Sequence, residues 1–336
     1  MYHESFQGSH YEIGFRFGAA LAEQGQSLLS HVPFPVTQER RDFARACVPA
    51  YREFFPEILE EIHGLAKGQH CDADALQAVL FSMYAIPPAC ACSCFAVSDG
   101  EHVLLGRNSD FIPALEELNT NAIYILSGPS HSFTGNTTAF VEMEDGVNEC
   151  GLAVGLTSVY PVAKRPGFTA GLLLRFFLEK CRRTAEVMDC ARRIPIASAQ
   201  TFTVADAQGE IAVIECNSEK TAVIRPCGEQ PFVCATNVFH AAEMQAQRNR
   251  EVYTWESERR YATLTDTLRG CGGKMDVAAA KELLAGKHGF LCQYDRTSGT
   301  DTVWSVIYDL KGKAIYRAEG NPKRETFMED NRFSFR

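Results

Sequence analysis

The sequence has no cluster of basic residues. Lys and Arg number 33 against 42 Asp and Glu, for a formal net charge of −9. Where cationic residues adjoin they do so in short pairs, such as Arg40-Arg41, Arg182-Arg183 and Arg259-Arg260. A protein that grips a phosphate backbone needs a concentrated positive face, so nucleic acid is excluded as a partner. No uncharged apolar run is long enough to span a bilayer, and Met1-Tyr2-His3-Glu4-Ser5-Phe6 lacks the basic-then-apolar order of a secretory signal. The expectation is a cytoplasmic protein without a membrane partner. Internal repeats, low-complexity linkers and Cys-x-x-Cys knuckles are also missing. The 13 cysteines are odd in number and follow no compact framework, so most read as buried thiols in a reducing compartment.

What is present is an ordinary globular composition, 46% hydrophobic and 22% charged over 336 residues. That length suits one large layered domain with an extra segment, or two domains. The first part reads as helices. Ile13, Phe17, Ala20 and Leu21 follow helical spacing behind a capping Ser9, and Gly14 and Gly18 share a face that another backbone can approach closely. A second helix starts near Thr37 and is ended or kinked by Pro49. A third starts at Phe55-Pro56, and a fourth runs from Asp72 to Pro87-Pro88.

The period changes in the stretch Cys90-Ala91-Cys92-Ser93-Cys94, where cysteines alternate at strand spacing. Asp99-Gly100 forms a hairpin turn and the strand Val103 to Asn108 returns. Further strands are expected at Ala122 to Leu126, Ala139 to Met143, Leu152 to Val159, Gln200 to Ala205, Ile211 to Glu215, Thr221 to Ile224, Phe232 to Ala235, Thr302 to Asp309 and Ala314 to Arg317. Helices are expected at 169–192, 256–269 and 276–285. Separate runs of helices and strands favour α+β packing, two sheets covered by helices, over a doubly wound parallel sheet.

Three alternating cysteines first suggest a metal clip. Zinc–sulfur bonds of ~2.3 Å bring thiolates of one site within ~4 Å of each other, whereas alternate strand residues lie about twice the ~3.3 Å rise apart. No metal and no cofactor are therefore expected, and small core residues are the plainest reading of the set. A nucleophile gains weight from Gly106-Arg107-Asn108-Ser109-Asp110-Phe111, because the hairpin brings Arg107 and Asp110 toward the cysteines and an arginine beside a thiol favours thiolate. His63, His240 and His288 form no recognisable dyad.

The string Cys92-Ser93-Cys94-Phe95-Ala96-Val97, with Asp99-Gly100 and the Gly106 to Phe111 string, resembles the opening of the choloylglycine hydrolase and isopenicillin N acyltransferase group. These are the linear-amide members of the N-terminal-nucleophile (Ntn) hydrolases. Cys92 alone of the three cysteines is followed by Ser, as in that pattern. The likeness continues through Asp145 to Leu156 with Asn148, through Thr236-Asn237, through Ser257-Glu258-Arg259-Arg260-Tyr261, where Arg260 is chosen over Arg259, and through the closing strand Thr302 to Asp309. The helical lead resembles the acyltransferase branch.

The resemblance implies a four-layer αββα Ntn sandwich over 92–336 behind a helical lead or pro-segment 1–91. It implies a Cys92 nucleophile freed by autocatalytic cleavage of Ala91-Cys92, with Arg107, Asp110, Asn237 and Arg260 as further catalytic residues. The substrate would be a small-molecule linear amide, and self-association into a homo-oligomer stays open. Where bile-salt and penicillin V acylases carry a second Asn, this chain has Leu156-Thr157, so Thr157 and Asn148 are the remaining candidates for substrate or oxyanion contacts. Two other classes compete: a Cys–His peptidase of unrelated fold using His240, and a non-catalytic or uncleaved binding protein that keeps the fold.

Overall fold

The computed structural model describes residues 1–86, 91–228 and 230–335. Pro87-Pro88 and Cys90, where the sequence ends the fourth helix and opens the cysteine strand, lie outside the described residues. The lead opens with a strand that the sequence reading did not contain, β1 (Tyr2–Gly8), followed by α1 (His10–Glu23), α2 (Gln38–Phe54), α3 (Pro56–Gln69) and α4 (Ala73–Ser82). The helices begin where capping chemistry allows. Ser9 forms a capping box with Glu12, Thr37 accepts from the Arg40 amide, Asp72 accepts from the Asp74 amide, and Pro56 takes the first helical position. Pro49 does not end α2. It sits on an exposed face, where the carbonyl it leaves unbonded can be hydrated.

The glycine pair of α1 meets a second pair on α3. A Cβ on Gly14 would stand 2.0 Å from the Glu61 carbonyl oxygen, and one on Gly68 would stand 2.1 Å from that of Phe15. Side chains at these positions would force the helices apart, so glycine sets the approach.

The remaining elements are β2 (Ala91–Ser98), β3 (Val103–Phe111), β4 (Thr120–Leu126), β5 (Phe133–Thr137), β6 (Asp145–Asn148), β7 (Leu152–Val159), α5 (Ala170–Lys180), α6 (Thr184–Arg193), β8 (Ala199–Asp206), β9 (Ile211–Cys216), β10 (Thr221–Ile224), β11 (Phe232–Ala235), α7 (Ser257–Gly270), α8 (Val277–Leu284), β12 (Asp301–Asp309), β13 (Ala314–Ala318) and β14 (Met328–Glu329). One expected strand is absent. Residues 139–143 form a turn, with Phe140 at φ +56°, and the flanking β5 and β6 carry the pairing instead. Both of those strands contain Gly and Asn, residues of low strand propensity that only their neighbours in the sheet explain.

Among the described residues the strands form two sheets. The first has eight strands in the order β1-β4-β5-β6-β7-β8-β9-β10, and the second has six in the order β11-β2-β3-β12-β13-β14. Only the edge pair β1 and β4 is parallel. Between the sheets lies an apolar layer that includes Cys94, Leu105, Val147, Ala153, Val213, Val306 and Tyr308. The far face of the second sheet packs Phe95, Val97 and Ile307 against Leu264 and Leu268 of α7 and Leu283 and Leu284 of α8. The far face of the first sheet packs against α5 and α6, giving the αββα sandwich expected of an α+β chain.

The lead shares the first of these helical layers. Ile13, Ile62 and Leu65 belong to one continuous core with Leu173 and Phe177 of α5. Within that core Arg175 binds both carboxylate oxygens of Glu61 on α3, at 2.8 and 2.5 Å, and donates to Glu179 at 2.9 Å. Glu179 in turn meets His10 of α1 at 2.9 Å. The side chains of all four residues are almost wholly buried.

Candidate active site

Strand periodicity divides β2 into two faces. Cys92, Cys94 and Ala96 point between the sheets, while Ser93, Phe95 and Val97 point toward α7 and α8. The hairpin register sets Cys92 opposite Ser109, Cys94 opposite Arg107 and Ala91 opposite Asp110. Arg107 therefore reaches back along the inter-sheet face, and its Nη2 donates to the Cys92 sulfur at 2.9 Å. The rest of its guanidinium is also held: Nη1 donates to Asp145 at 2.9 Å and Nε to the Leu156 carbonyl at 2.9 Å, with Glu144 3.3 Å from Nη2. Burial alone would lower the Arg107 pKa, but the Cys92 thiol and the Asp145 and Glu144 carboxylates raise it. The arginine thus stays charged in a buried site.

Across the other edge of β2, the pairing of Ala235 with Cys94 carries the chain on to Asn237 beside Cys92. The Asn237 Oδ1 accepts from the Cys92 amide at 2.9 Å and from Arg260 Nη2 at 2.8 Å, while its Nδ2 donates to the Ser158 carbonyl at 2.8 Å. Arg260, on the first turns of α7, donates from Nη1 to the Cys92 carbonyl at 2.5 Å and to Ser93 Oγ at 2.9 Å. Asp110 accepts from Thr302 Oγ1 at 2.6 Å and Tyr294 OH at 2.9 Å, and lies 3.7 Å from Arg260 Nη1. Burial pushes its pKa up to about 6, against the pull of Arg260.

Arg107, Asp110, Asn237 and Arg260 thus gather around Cys92, Arg107 at its sulfur, Asn237 and Arg260 at its backbone, and Asp110 in the wall of the Cys92 cleft, beside Arg260. Residues 97–324 match the model of the acyl-coenzyme A:6-aminopenicillanic acid acyl-transferase family. The chain belongs to this family. No curated protein sequence matches it significantly. Among solved structures, two altered forms of the conjugated bile acid hydrolase from Clostridium perfringens superpose with TM-scores of 0.50 and 0.51. Both are 14% identical, cover 72% of this chain, and are themselves covered over 93% and 94%. A Caenorhabditis elegans N-acylethanolamine-hydrolyzing acid amidase ortholog is 19% identical over 66% of this chain and 93% of its own, with a TM-score of 0.49. The family and the fold are those of the Ntn superfamily, and the protein is an enzyme of its linear-amide hydrolase and acyltransferase class. The Ntn fold removes the reading as a Cys–His peptidase of unrelated fold.

In this acyl-transferase family member two expected contacts are engaged elsewhere. Asn148 holds the β6–β7 turn: its Oδ1 accepts from the Cys150 and Leu152 amides, each at 3.1 Å, and its Nδ2 donates to the Leu178 and Cys181 carbonyls at 2.9 and 2.8 Å. Thr157 donates its hydroxyl proton to the Thr236 carbonyl at 2.8 Å and meets Thr201 Oγ1 at 2.5 Å. Neither keeps a donor for an oxyanion. Arg259, the discarded alternative to Arg260, lies over the Phe290 ring instead. His240 stacks on Tyr261 with ring centroids 3.5 Å apart, and burial lowers its pKa to about 4. Burial pushes the Cys94 thiol up to about 12, which fits a small residue filling space behind Cys92.

Sequence reasoning missed several supporting groups. Asp145 gathers Arg107, Trp304 Nε1 at 2.8 Å and Tyr308 OH at 2.7 Å. Alternation along the closing strand could have placed Trp304 and Tyr308 on one face, but nothing in the sequence marks Tyr294. The cleft at Cys92 has a volume of only about 30 Å³, and Met83 and Tyr84, just past α4, form part of its wall. That is room for little more than water. No helix among the described residues is long and apolar enough to cross a membrane.

Proposed function

We propose that Cys92 is the nucleophile of a linear-amide amidase or acyltransferase, matured by cleavage of its own Ala91-Cys92 bond. The observation that carries this reading is the Cys92 sulfur 2.9 Å from Arg107, with the amide and carbonyl of the same residue held by Asn237 and Arg260. In maturation the thiol attacks the Ala91 carbonyl. The C–S bond forms, the C–N bond breaks, and the thiol proton passes to the departing nitrogen. Water then hydrolyses the thioester, leaving a carboxylate on Ala91 and a free α-amino group on Cys92. Such an amine titrates near ~7.7 to 8.0, so it accepts the proton of its own thiol without a histidine.

In turnover Cys92 attacks a substrate amide, the amine leaves protonated, and the acyl-enzyme passes its acyl group to water or to a second amine. Arg107 stabilises the thiolate. The Asn237 Nδ2, with one hydrogen not used on Ser158, donates to the oxyanion, and Asp110, opposite residue 91, holds the α-ammonium. Cleavage would not by itself release 1–91, because β1 is a strand of the first sheet and Glu61 is buried against Arg175. The lead is a retained subunit in this reading.

Intact-mass measurement of the purified protein tests it. The wild type should give two fragments, the larger starting at Cys92, and Cys92→Ala should give one species of 37.2 kDa less the sulfur atom. A Cys92→Ala protein that still turns over amides would sink the assignment.

A further inference from the structure

Two thiols that the chemistry at Cys92 does not use meet in the helical layer outside the first sheet. Cys181 ends α5 and Cys190 lies in the last turn of α6, and the Cys181 thiol donates to the Cys190 sulfur at 3.8 Å. Cys181 is only 1% exposed, whereas Cys190 is half-buried and part of its surface reaches solvent. The backbone of each is fixed. The Cys181 amide donates to the Phe177 carbonyl at 3.0 Å and the Cys181 carbonyl accepts from Asn148 at 2.8 Å, while the Cys190 carbonyl accepts from the Ile194 amide at 3.0 Å. Between them the Thr184 amide donates to Asp206 at 2.9 Å, which pins the start of α6. The Cys181 S–H and then Arg193 favour a thiolate at Cys190. They outweigh burial and the Asp189 and Glu186 carboxylates, so the Cys190 pKa falls below that of an ordinary thiol. The same contact and burial push the Cys181 thiol up.

We propose that Cys181 and Cys190 form a reversible redox site, which small-molecule disulfides such as oxidised glutathione convert to an internal disulfide without rearranging the helices. Cys190, the accessible member, attacks one sulfur of the reagent. A mixed disulfide forms, the reagent's S–S bond breaks, and the first glutathione leaves as a thiolate that takes up a proton. The Cys181 sulfur then attacks Cys190, and the second glutathione leaves with the proton that Cys181 loses. Two protein thiols are oxidised and one glutathione disulfide is reduced to two thiols. The sulfurs must close from 3.8 Å to ~2.0 Å, a distance within the sweep of two cysteine side chains about their Cα–Cβ bonds. The bond braces the end of α5 against α6 and closes a loop of about ten residues.

The test treats the purified wild type with oxidised glutathione near neutral pH, then digests it with trypsin and measures peptide masses without reduction. Trypsin cuts after Lys180, Arg182 and Arg183, which puts the two cysteines on separate peptides. The exposed Cys227 and Cys271 are internal standards and should gain glutathione. Cys181 and Cys190 should instead lose two hydrogen atoms together, their peptides joined, and dithiothreitol should restore both thiols. In Cys181→Ser the reaction should stop at the mixed disulfide on Cys190. In Cys190→Ser the buried Cys181 should stay a free thiol. Thermal unfolding of the oxidised wild type should lie about 2 to 5 °C above that of Cys190→Ser treated alike, the gain of a short closed loop in a chain of this size. Glutathione retained on Cys190 in the wild type would overturn the proposal, as would two free thiols at 181 and 190 when Cys227 is fully modified. An oxidised wild type that unfolds below treated Cys190→Ser would overturn it too, because closure would then strain the helical layer.

Discussion

Arg107 donates to the Cys92 sulfur from the same guanidinium whose other nitrogens bind Asp145 and the Leu156 carbonyl. Three fixed directions from one planar group place the charge on the thiol before any substrate arrives. Gly155 of β7 leaves room for this, since a Cβ there would stand 2.6 Å from the Cys94 sulfur and 3.3 Å from Arg107 Cδ.

Substituting Arg107 separates charge from geometry. Lysine keeps a cation but cannot satisfy Asp145, the carbonyl and the sulfur together. Arg107→Lys should fold and lose about a hundredfold in kcat, on the scale of removing one preorganised stabilising group. Arg107→Ala strands a buried Asp145 carboxylate and should also lose roughly 3 to 5 kcal/mol of stability in urea unfolding. Equal kcat for Arg107→Lys and wild type would remove the arginine from the chemistry.

Asp110 gives opposite pH effects on stability and on rate. Burial, partly opposed by Arg260, raises its carboxyl from 3.8 to about 6. Between those values the folded state holds a proton that the unfolded state has lost. The contribution to stability is therefore fully present below about pH 4 and disappears as pH rises through 6, a change on the order of 3 kcal/mol. The ionised carboxylate is the form that holds an ammonium, so kcat/KM should rise over the same interval. Thermal unfolding from pH 4 to 8 should show wild type losing ground to Asp110→Asn as pH rises, and a parallel rate profile should lose its acid limb near 6 in the variant.

The lead is tied to the rest of the molecule by a buried ion pair. Glu61→Ala leaves the Arg175 guanidinium without its bidentate partner and should cost roughly 3 to 5 kcal/mol. On the proposal that Ala91-Cys92 is cut, the two wild-type fragments should co-elute in gel filtration, and those of this variant should separate or aggregate. Free separation of the wild-type fragments under native conditions would contradict the shared core.

The helix starts at Ser9, Thr37, Pro56 and Asp72 were legible because capping is local chemistry, and the β2–β3 hairpin because Asp99-Gly100 carries its own turn signal. The choice of Cys92 over Cys94 needed the family likeness, since both face the same way. Asn237 and Arg260 reach Cys92 only through the pairing of β11 with β2 and the packing of α7, neither of which periodicity contains. β1 and β5 were missed because exposed Tyr2-His3 with half-buried Glu4, and Gly-containing Phe133–Thr137, become strands through their neighbours, and Phe140 turns the chain where its apolar surroundings suggested a strand.

Asn148 distinguishes a site residue from a structural one. Its likeness to a family motif suggests contact with substrate, yet its side chain makes four bonds to backbone, two of them to carbonyls near the end of α5. Asn148→Ala leaves the buried Leu178 carbonyl without its side-chain donor, a loss of about 1 to 3 kcal/mol for each such group. Asn148→Asp is worse, because a carboxylate would face two carbonyl oxygens. Both variants should lower the unfolding temperature, Asp more than Ala, while the folded fraction keeps kcat/KM within about twofold of wild type. A hundredfold fall in kcat/KM at unchanged unfolding temperature would return Asn148 to the substrate, and would mean that the β6–β7 turn rearranges during turnover to free its amide.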